Sequence, residues 1–405
     1  MKTDFYPAVV IGAGAGGYTA AITLAEAGVR VLLCDSRPQL LHKVSASGNG
    51  RCNLSNQRID PSCYVSQTPE HIPAFLGEER GEVSAFWRSM GLLTATEEGR
   101  IYPFSRRASE VCRLLSAKAE QLSVEVLSSA PLSSITPSGK SWLLQLGDRQ
   151  VLAQKVILAM GSPASPSLGG QDNASLLTGL GHRMVSWQPA LVSLATNPRY
   201  PSLKGLRTEG VLTLHTPRGE TISERGEILF TDYGLSGVAV MQLSAHGTKR
   251  AEITLDLLPD LSPKEVTSCL FSRLHQPLYG TVDKLLLGWI DHRMAYAILK
   301  SVGISPLSLP SASLSPEAVR ALSRALKGWH FAVEGTQGFA SAHAARGGVS
   351  LEEVDPHTLE SNLAEGVYVV GELLDLTGLC GGYNLHWAWL SGLRSARALL
   401  KSLRK

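Results

Sequence analysis

The stretch Pro7 to Gly17, PAVVIGAGAGG, delivers a short apolar run straight into a Gly-x-Gly-x-x-Gly turn. Ala8 to Ile11 predict a buried strand. Gly12 allows a tight turn, Gly14 lets backbone N–H groups approach a diphosphate, and Gly17 lets the next helix pack on the strand, with Ala13 and Ala15 in the same turn. The helix is expected over about Gly17 to Ala27, its N-terminus offering unpaired N–H donors and a partial positive charge. A second strand, Val29 to Cys34, ends at Asp35 and Ser36. Asp35 lies eighteen residues past Gly17, where a carboxylate can accept hydrogen bonds from a ribose diol. The first 35 residues therefore read as a dinucleotide cradle. The turn alone does not choose between NAD and FAD.

At 405 residues the chain is too long for one ordinary core and suggests two or three domains. A formal charge of +3 without a basic cluster gives no support for a nucleic-acid partner and leaves small molecules. The tail Arg394, Arg397, Lys401, Arg404 and Lys405 reads as a solvated helix end. Six cysteines show no Cys-x-x-Cys and no metal-ligand spacing, so no metal is expected and a reducing compartment fits. Asp4 and the short run that follows do not resemble a signal peptide, and no stretch reaches the roughly 18 apolar residues of a membrane span. The expected location is the cytoplasm, with no membrane partner. Composition sets no oligomeric state.

The segment after Asp35, SRPQLLHKVSASGNGRCNLSN, is too polar and broken for a regular element. It reads as a loop whose Lys43, Gly50 and Arg51 could wrap the second side of a diphosphate or face a reactive ring, or as a plain surface Ω-loop. Helical patterns cover Ile72 to Met90 and Ser109 to Leu122, and strands are expected at Val124 to Leu127, Trp142 to Leu146 and Lys155 to Ala159. The last runs into Met160-Gly161-Ser162, either a further close backbone approach at the sheet's carboxyl edge or a simple turn.

From Gln188 the composition changes. Alternating runs at Val211 to His215, Glu227 to Thr231 and Ala251 to Leu257 predict a small antiparallel unit. Ser262-Pro263-Lys264-Glu265 combines an N-cap serine, proline at the first helical position and a capping-box glutamate. Further helices are expected over Thr281 to Val302 and from Ser315-Pro316 through Lys327. Residues 190–335 thus form an inserted domain, β-rich over 190–259 and helical over 260–335, within a discontinuous Rossmann-like domain of 1–189 and 336–405.

Val367 to Val370 predict a buried strand ending in Gly371-Glu372, whose carboxylate would bind a ribityl or ribose hydroxyl. Gly381-Gly382 would let the chain pass close to an isoalloxazine. The helix beginning near Asn384 would aim its N-terminus at the ring's N1/C2=O end, where negative charge collects on reduction. Nicotinamide dehydrogenases have no need of that element, so FAD is favoured over NAD.

SGNGRCN (Ser47 to Asn53), ILFTDYGLSG (Ile228 to Gly237), GGVSLEEVDPHTLES (Gly347 to Ser361) and VGELLDLTGLCGGYNLHWAW (Val370 to Trp389), in that order, closely resemble the bacterial FAD-dependent oxidoreductases that include BaiN, YhiN and the aminoacetone-oxidase-like flavoproteins. The resemblance covers nearly the whole chain. It implies an α/β fold, a Rossmann-like domain of the glutathione-reductase type that binds FAD non-covalently, with an inserted β-then-α domain that covers the flavin. By position, Gly12, Gly14 and Gly17 would hold the pyrophosphate and Asp35 the adenosine ribose, while Leu132, in a PLSSI stretch, would contact adenine through its backbone. Arg51, Cys52 and Asn53 would sit near the pyrophosphate and flavin, and Ala159, Met160 and Gly161 near the cofactor. Gly371, Glu372, Gly382, Tyr383, Asn384 and Leu385 would line the ribityl chain and ring. The sequence departs from the family at Asp35, where glutamate is commoner, at Asn49, usually glycine, and at Met160-Gly161-Ser162, usually Thr-Gly-Gly.

Three side chains are candidates for catalysis. Arg51 could stabilise reduced flavin, grip a substrate anion or simply contact phosphate; Tyr383 could donate a proton or only pack the ring; Cys380 could be a reactive thiol or a small filler. His386, just inside the helix start, would have its protonation disfavoured there. The leading expectation is a flavin-dependent oxidoreductase acting on a small organic molecule, with NAD(P)H docking transiently because there is one clear cradle. An amine oxidase using oxygen and a non-catalytic flavin redox sensor are the alternatives.

Overall fold

The apolar run before the glycine turn forms the strand Asp4–Ile11, at the middle of a seven-stranded sheet. On one side lie Val31–Cys34 and then Glu125–Leu127, both parallel to it; on the other lies Arg149–Leu158, also parallel. Val10 stands level with Leu33 and Ile157. The carboxyl half of Arg149–Leu158 pairs in parallel with Val367–Val369, and its amino half carries the antiparallel strands Ser141–Leu146 and Leu132–Ser138. Strands buried on both faces read as unbroken apolar runs, and Ala8 to Ile11 are at most 3% exposed. The helices Ala15–Glu26 and Tyr383–Leu403 pack against one another over this sheet.

The computed structural model describes residues 4–77, 81–217 and 219–404. Contacts divide the chain into two units, Met1–Ala190 with Phe339–Lys405, and Leu191–Gly338. No helix among the described residues is long and apolar enough to cross a membrane.

The first unit differs from the sequence reading in three places. The segment after Asp35 is not all loop: His42–Gly50 is helical, interrupted where Ser47 is extended and Gly48 and Asn49 are left-handed at φ 56° and 55°. Its buried Val44 anchors a stretch whose polarity hid the helix. The pattern over Ile72 to Met90 is two helices, Ile72–Leu76 and Glu82–Ser89, the first stopped by Gly77 at φ 61°. Arg394 is not solvated: its guanidinium donates to the Phe75 and Leu76 carbonyls, both at 2.6 Å, satisfying that helix end, and it pairs with Glu82 beside Arg397. Lys405 of the same tail lies outside the described residues.

The second unit contains a closed barrel. Its strands run Leu194–Asn197, Gly234–Ser236, Thr221–Phe230, Arg207–His215, Glu252–Asp256 and Trp329–Thr336, the last pairing back to the first. Leu212, Ile228, Leu235, Ile253 and Phe331 share one core with Val266, Ile298 and Leu322 of the helices Pro263–Arg273, His292–Ser301 and Pro316–Lys327. The capping box is present: Ser262 Oγ accepts from Glu265 N at 3.2 Å while Ser262 N donates to Glu265 Oε2 at 2.7 Å. The assignment of 260–335 as helical fails at its end, because Trp329–Thr336 is the strand that closes the barrel and removes two open edges. The helix read over Thr281 to Val302 is confined to His292–Ser301; Gly288 is left-handed, and Asp291 caps the true start through Arg293 N at 2.8 Å.

Candidate functional site

The carboxyl ends of four parallel strands bring together Gly12, Asp35, Ala159 and Gly371. Gly12 N donates to Cys34 O and Ala159 N to Ile11 O, each at 2.7 Å, which fixes the strand ends as one edge. At φ 104°, Gly12 lies so close to the backbone of Ala159 and Met160 that a Cβ there would come within 2.9 Å of Met160 N. A Cβ on Gly17 would collide with the Gly12 carbonyl, so helix and turn interlock. Gly14 is different: a Cβ there would meet nothing within 4 Å. The helix that starts beside it has no side-chain cap and no acid in its first turn. Open backbone, uncapped donors and missing negative charge are what a diphosphate needs, so these residues fit a dinucleotide.

Asp35 closes the turn. Its Oδ2 accepts from Ala13 N at 2.7 Å and its Oδ1 from Arg37 N at 2.8 Å, leaving each oxygen a lone pair for a ribose hydroxyl. Ser36 Oγ lies 3.3 Å from Gln171 Oε1. Ala130 N donates to Asp35 O at 2.8 Å, which sets the stretch leading to Leu132 beside the acid; Leu132 itself pairs with Leu146 and is buried.

The structure pairs two expected cofactor ligands with each other. Lys43 Nζ lies 3.3 Å from Glu372 Oε2 and 3.4 Å from the Ser162 carbonyl, next to Gly161, while Glu372 Oε1 accepts from Ala345 N at 3.2 Å. Arg51, just past Gly50, turns to the hairpin Thr94–Pro103: it bonds Glu97 at 2.5 Å and lies over the Tyr102 ring at 4.4 Å, and Glu97 also holds Arg106. Cys52 is fully buried and burial pushes its thiol up to about 12, so it is no thiolate at neutral pH. Asn53 Oδ1 is buried and has no hydrogen-bond partner among the described residues.

At the other edge, Gly371 N donates to Ser391 Oγ and Gly371 O accepts from Trp387 Nε1, both at 3.0 Å. Gly382, at φ 94°, starts the long C-terminal helix, which again has no side-chain cap and no acid in its first turn. Asn384 does not reach outward; its amide holds Gly378 N at 2.8 Å and Gly378 O at 2.7 Å. Leu385 packs against the core. The Tyr383 ring meets Tyr64 edge-on at 5.8 Å, and burial followed by a hydrogen bond with Cys63 raises its hydroxyl well above the usual phenol range. Cys380 is half-buried in the turn between.

Sequence reasoning missed the residues behind this edge. Ser55 Oγ lies 2.7 Å from His386 Nδ1, and Asn56 Nδ2 donates to Gly381 O at 3.0 Å. His386 is 1% exposed, and burial, then Arg394, lowers its pKa to about 4. The signal available was the density of amides and hydroxyls in NLSN; its partners lie some 330 residues away.

The HI0933-like protein Rossmann domain matches residues 6–398. A 3-dehydro-bile acid delta(4,6)-reductase from Clostridium scindens is 34% identical over 401 residues, covering 96% of this chain and 98% of that protein. A ribosomal RNA dihydrouridine synthase from Escherichia coli K12 is 26% identical over 407 residues, covering 98% of each. The 3-ketosteroid delta1-dehydrogenase of Sterolibacterium denitrificans shares the fold, with a TM-score of 0.52 at 12% identity over 99% of this chain and 100% of that one.

Proposed function

The chain belongs to the HI0933-like Rossmann family and is an FAD-dependent oxidoreductase, and from that premise we propose that it reduces a carbon–carbon double bond conjugated to a carbonyl group in a small, largely apolar molecule, with NAD(P)H as electron donor. The observation that carries this reading is the 34% identity, across nearly the whole chain, to a reductase named for double bonds conjugated to a 3-oxo group. The dihydrouridine synthase is named for the same kind of bond, the uracil 5,6 double bond conjugated to a carbonyl. Charge favours the small molecule over RNA. Residues 191–338 hold 15 basic and 13 acidic side chains. Arg199, Lys204, Arg225 and Lys327 are all paired with acids. A near-balanced charge with these cations already paired gives little support for a surface that tracks phosphates.

Bound FAD supplies hydride transfer to the carbon β to the carbonyl. Gly14 and the helix starting at Ala15 would hold its diphosphate, Asp35 would hold a ribose, and the uncapped helix start at Tyr383 would meet the end of the ring where charge gathers. The reaction also needs a proton at the α-carbon. Tyr383 is assigned that donation by its place, the first residue of the helix whose start would face the ring; its hydroxyl, like any phenol, carries its proton at neutral pH.

The test is anaerobic mixing of the purified protein with NADH and then NADPH, followed by a 3-oxo-4-ene or 3-oxo-4,6-diene steroid. Bleaching of the flavin band, recovery on adding the enone and a product two hydrogens heavier are expected. A flavin reduced only by amines, with oxygen as acceptor, overturns the reading in favour of an oxidase. A flavin that no donor reduces favours a sensor, and reduction of uridine in RNA alone favours the nucleic-acid substrate.

A further inference from the structure

Among the described residues, two buried polar atoms at the start of the helix Tyr383–Leu403 have no partner, Asn53 Oδ1 and His386 Nε2. The imidazole is tied by its other nitrogen to Ser55, but the Asn53 amide oxygen has no partner at all among the described residues. A buried amide oxygen left unpaired is costly and calls for a donor that the chain does not supply. Its place is fixed. Asn56 Nδ2 grips Gly381 O, and a Cβ on Gly382 would come within 2.7 Å of Asn53 Oδ1 and 2.6 Å of Ser55 O. A Cβ on Gly48 would stand 3.1 Å from Asn53 N. The glycine at 382 thus lets the helix start pack directly against the amide, and the glycine at 48 lets its loop pack against the Asn53 backbone.

Gly382 is also where the helix Tyr383–Leu403 begins, uncapped and without an acid in its first turn. The first N–H groups of a helix lack intrahelical acceptors. An unsatisfied acceptor thus stands beside unsatisfied donors, and their natural complement is an edge that carries a carbonyl next to an N–H. Diphosphate and the sugar hydroxyls have no such edge; the pyrimidine side of the isoalloxazine, C2=O beside N3–H, does. We infer that Asn53 Oδ1 accepts the flavin N3–H while the helix start takes C2=O. Asn53 thereby fixes which edge of the ring meets the helix dipole, and it is a positioning contact to the cofactor.

The protein, stripped and reconstituted with FAD or with N3-methyl-FAD, tests this. Wild type is expected to bind the methylated flavin about tenfold more weakly, as expected for loss of one hydrogen bond. Asn53→Ala is expected to bind both flavins alike, at roughly the wild-type affinity for the methylated one. Equal wild-type affinities, or discrimination undiminished in Asn53→Ala, overturn the inference. Asn53→Ser gives the same comparison if the alanine variant does not fold. In the wild-type holoenzyme, the 15N resonance of N3 supports the contact if shifted downfield from free FAD, and opposes it if unshifted.

Discussion

A methyl group on Gly392 would fall inside the van der Waals shell of the Gly16 carbonyl oxygen, and its next neighbour would be Thr19 Cβ at 3.1 Å. The cradle helix and the C-terminal helix therefore touch backbone to backbone, directly behind the turn that fits a diphosphate. Gly392→Ala is expected to destabilise the first unit by about 1–3 kcal/mol, the usual cost of overpacking, and to weaken FAD retention. Gly16→Ala, where a Cβ would stand 3.2 Å from Ala388 O, is expected to be milder. Thermal unfolding followed by circular dichroism and by flavin fluorescence measures both, and a Gly392→Ala melting curve equal to wild type would refute the close approach.

Tyr383→Phe separates the two half-reactions. Flavin reduction by NAD(P)H is expected to stay within about twofold of wild type, while reoxidation by the enone slows by roughly 100-fold, the low end for a lost general acid. Stopped-flow absorbance of each half-reaction decides; equal reoxidation rates would leave Tyr383 as packing against Tyr64.

His386 makes stability depend on pH. Its folded pKa of about 4 lies below the ordinary 6.5, so the unfolded chain binds more protons between these values and stability falls as pH drops through that window. The shift corresponds to something of order 3 kcal/mol, present in full above the unfolded value and gone below the folded one. His386→Gln should flatten the slope of unfolding free energy between pH 6.5 and pH 4. An unchanged slope in urea titrations would show that other groups carry it.

The cysteines should differ in reactivity. Burial pushes Cys34 and Cys52 up to about 12, whereas Cys269 is exposed. Native-state alkylation at pH 7.5, read by mass spectrometry, is expected to label Cys269 and spare the other two, because the thiolate is the reacting form. Cys380→Ser is expected to keep turnover within about twofold; a larger loss would restore the thiol as a participant.

Much of this was written locally. The strand, glycine turn, helix and Asp35 follow from a backbone rule that needs particular residues at particular spacings, and the capping box at Ser262 forms because all its parts lie within four residues. Family membership and FAD were legible for the same reason: the motifs are contiguous. Contacts between distant segments were not. Nothing in RCN announces that Arg51 turns to Glu97, nor in LHK that Lys43 finds Glu372. The sixth barrel strand, Trp329–Thr336, does alternate Trp329, Phe331 and Val333 inward with His330 and Glu334 outward, but that it closes a barrel depends on Leu194–Asn197 and Glu252–Asp256, which lie far from it along the chain. Sequence by itself determined the cofactor class, since phosphate and ribose recognition is built from consecutive backbone groups. Tertiary structure alone decided which polar side chains are already satisfied by one another and which, like Asn53, are left without a partner among the described residues, because hydrogen-bond partners are set by proximity in space and not along the chain.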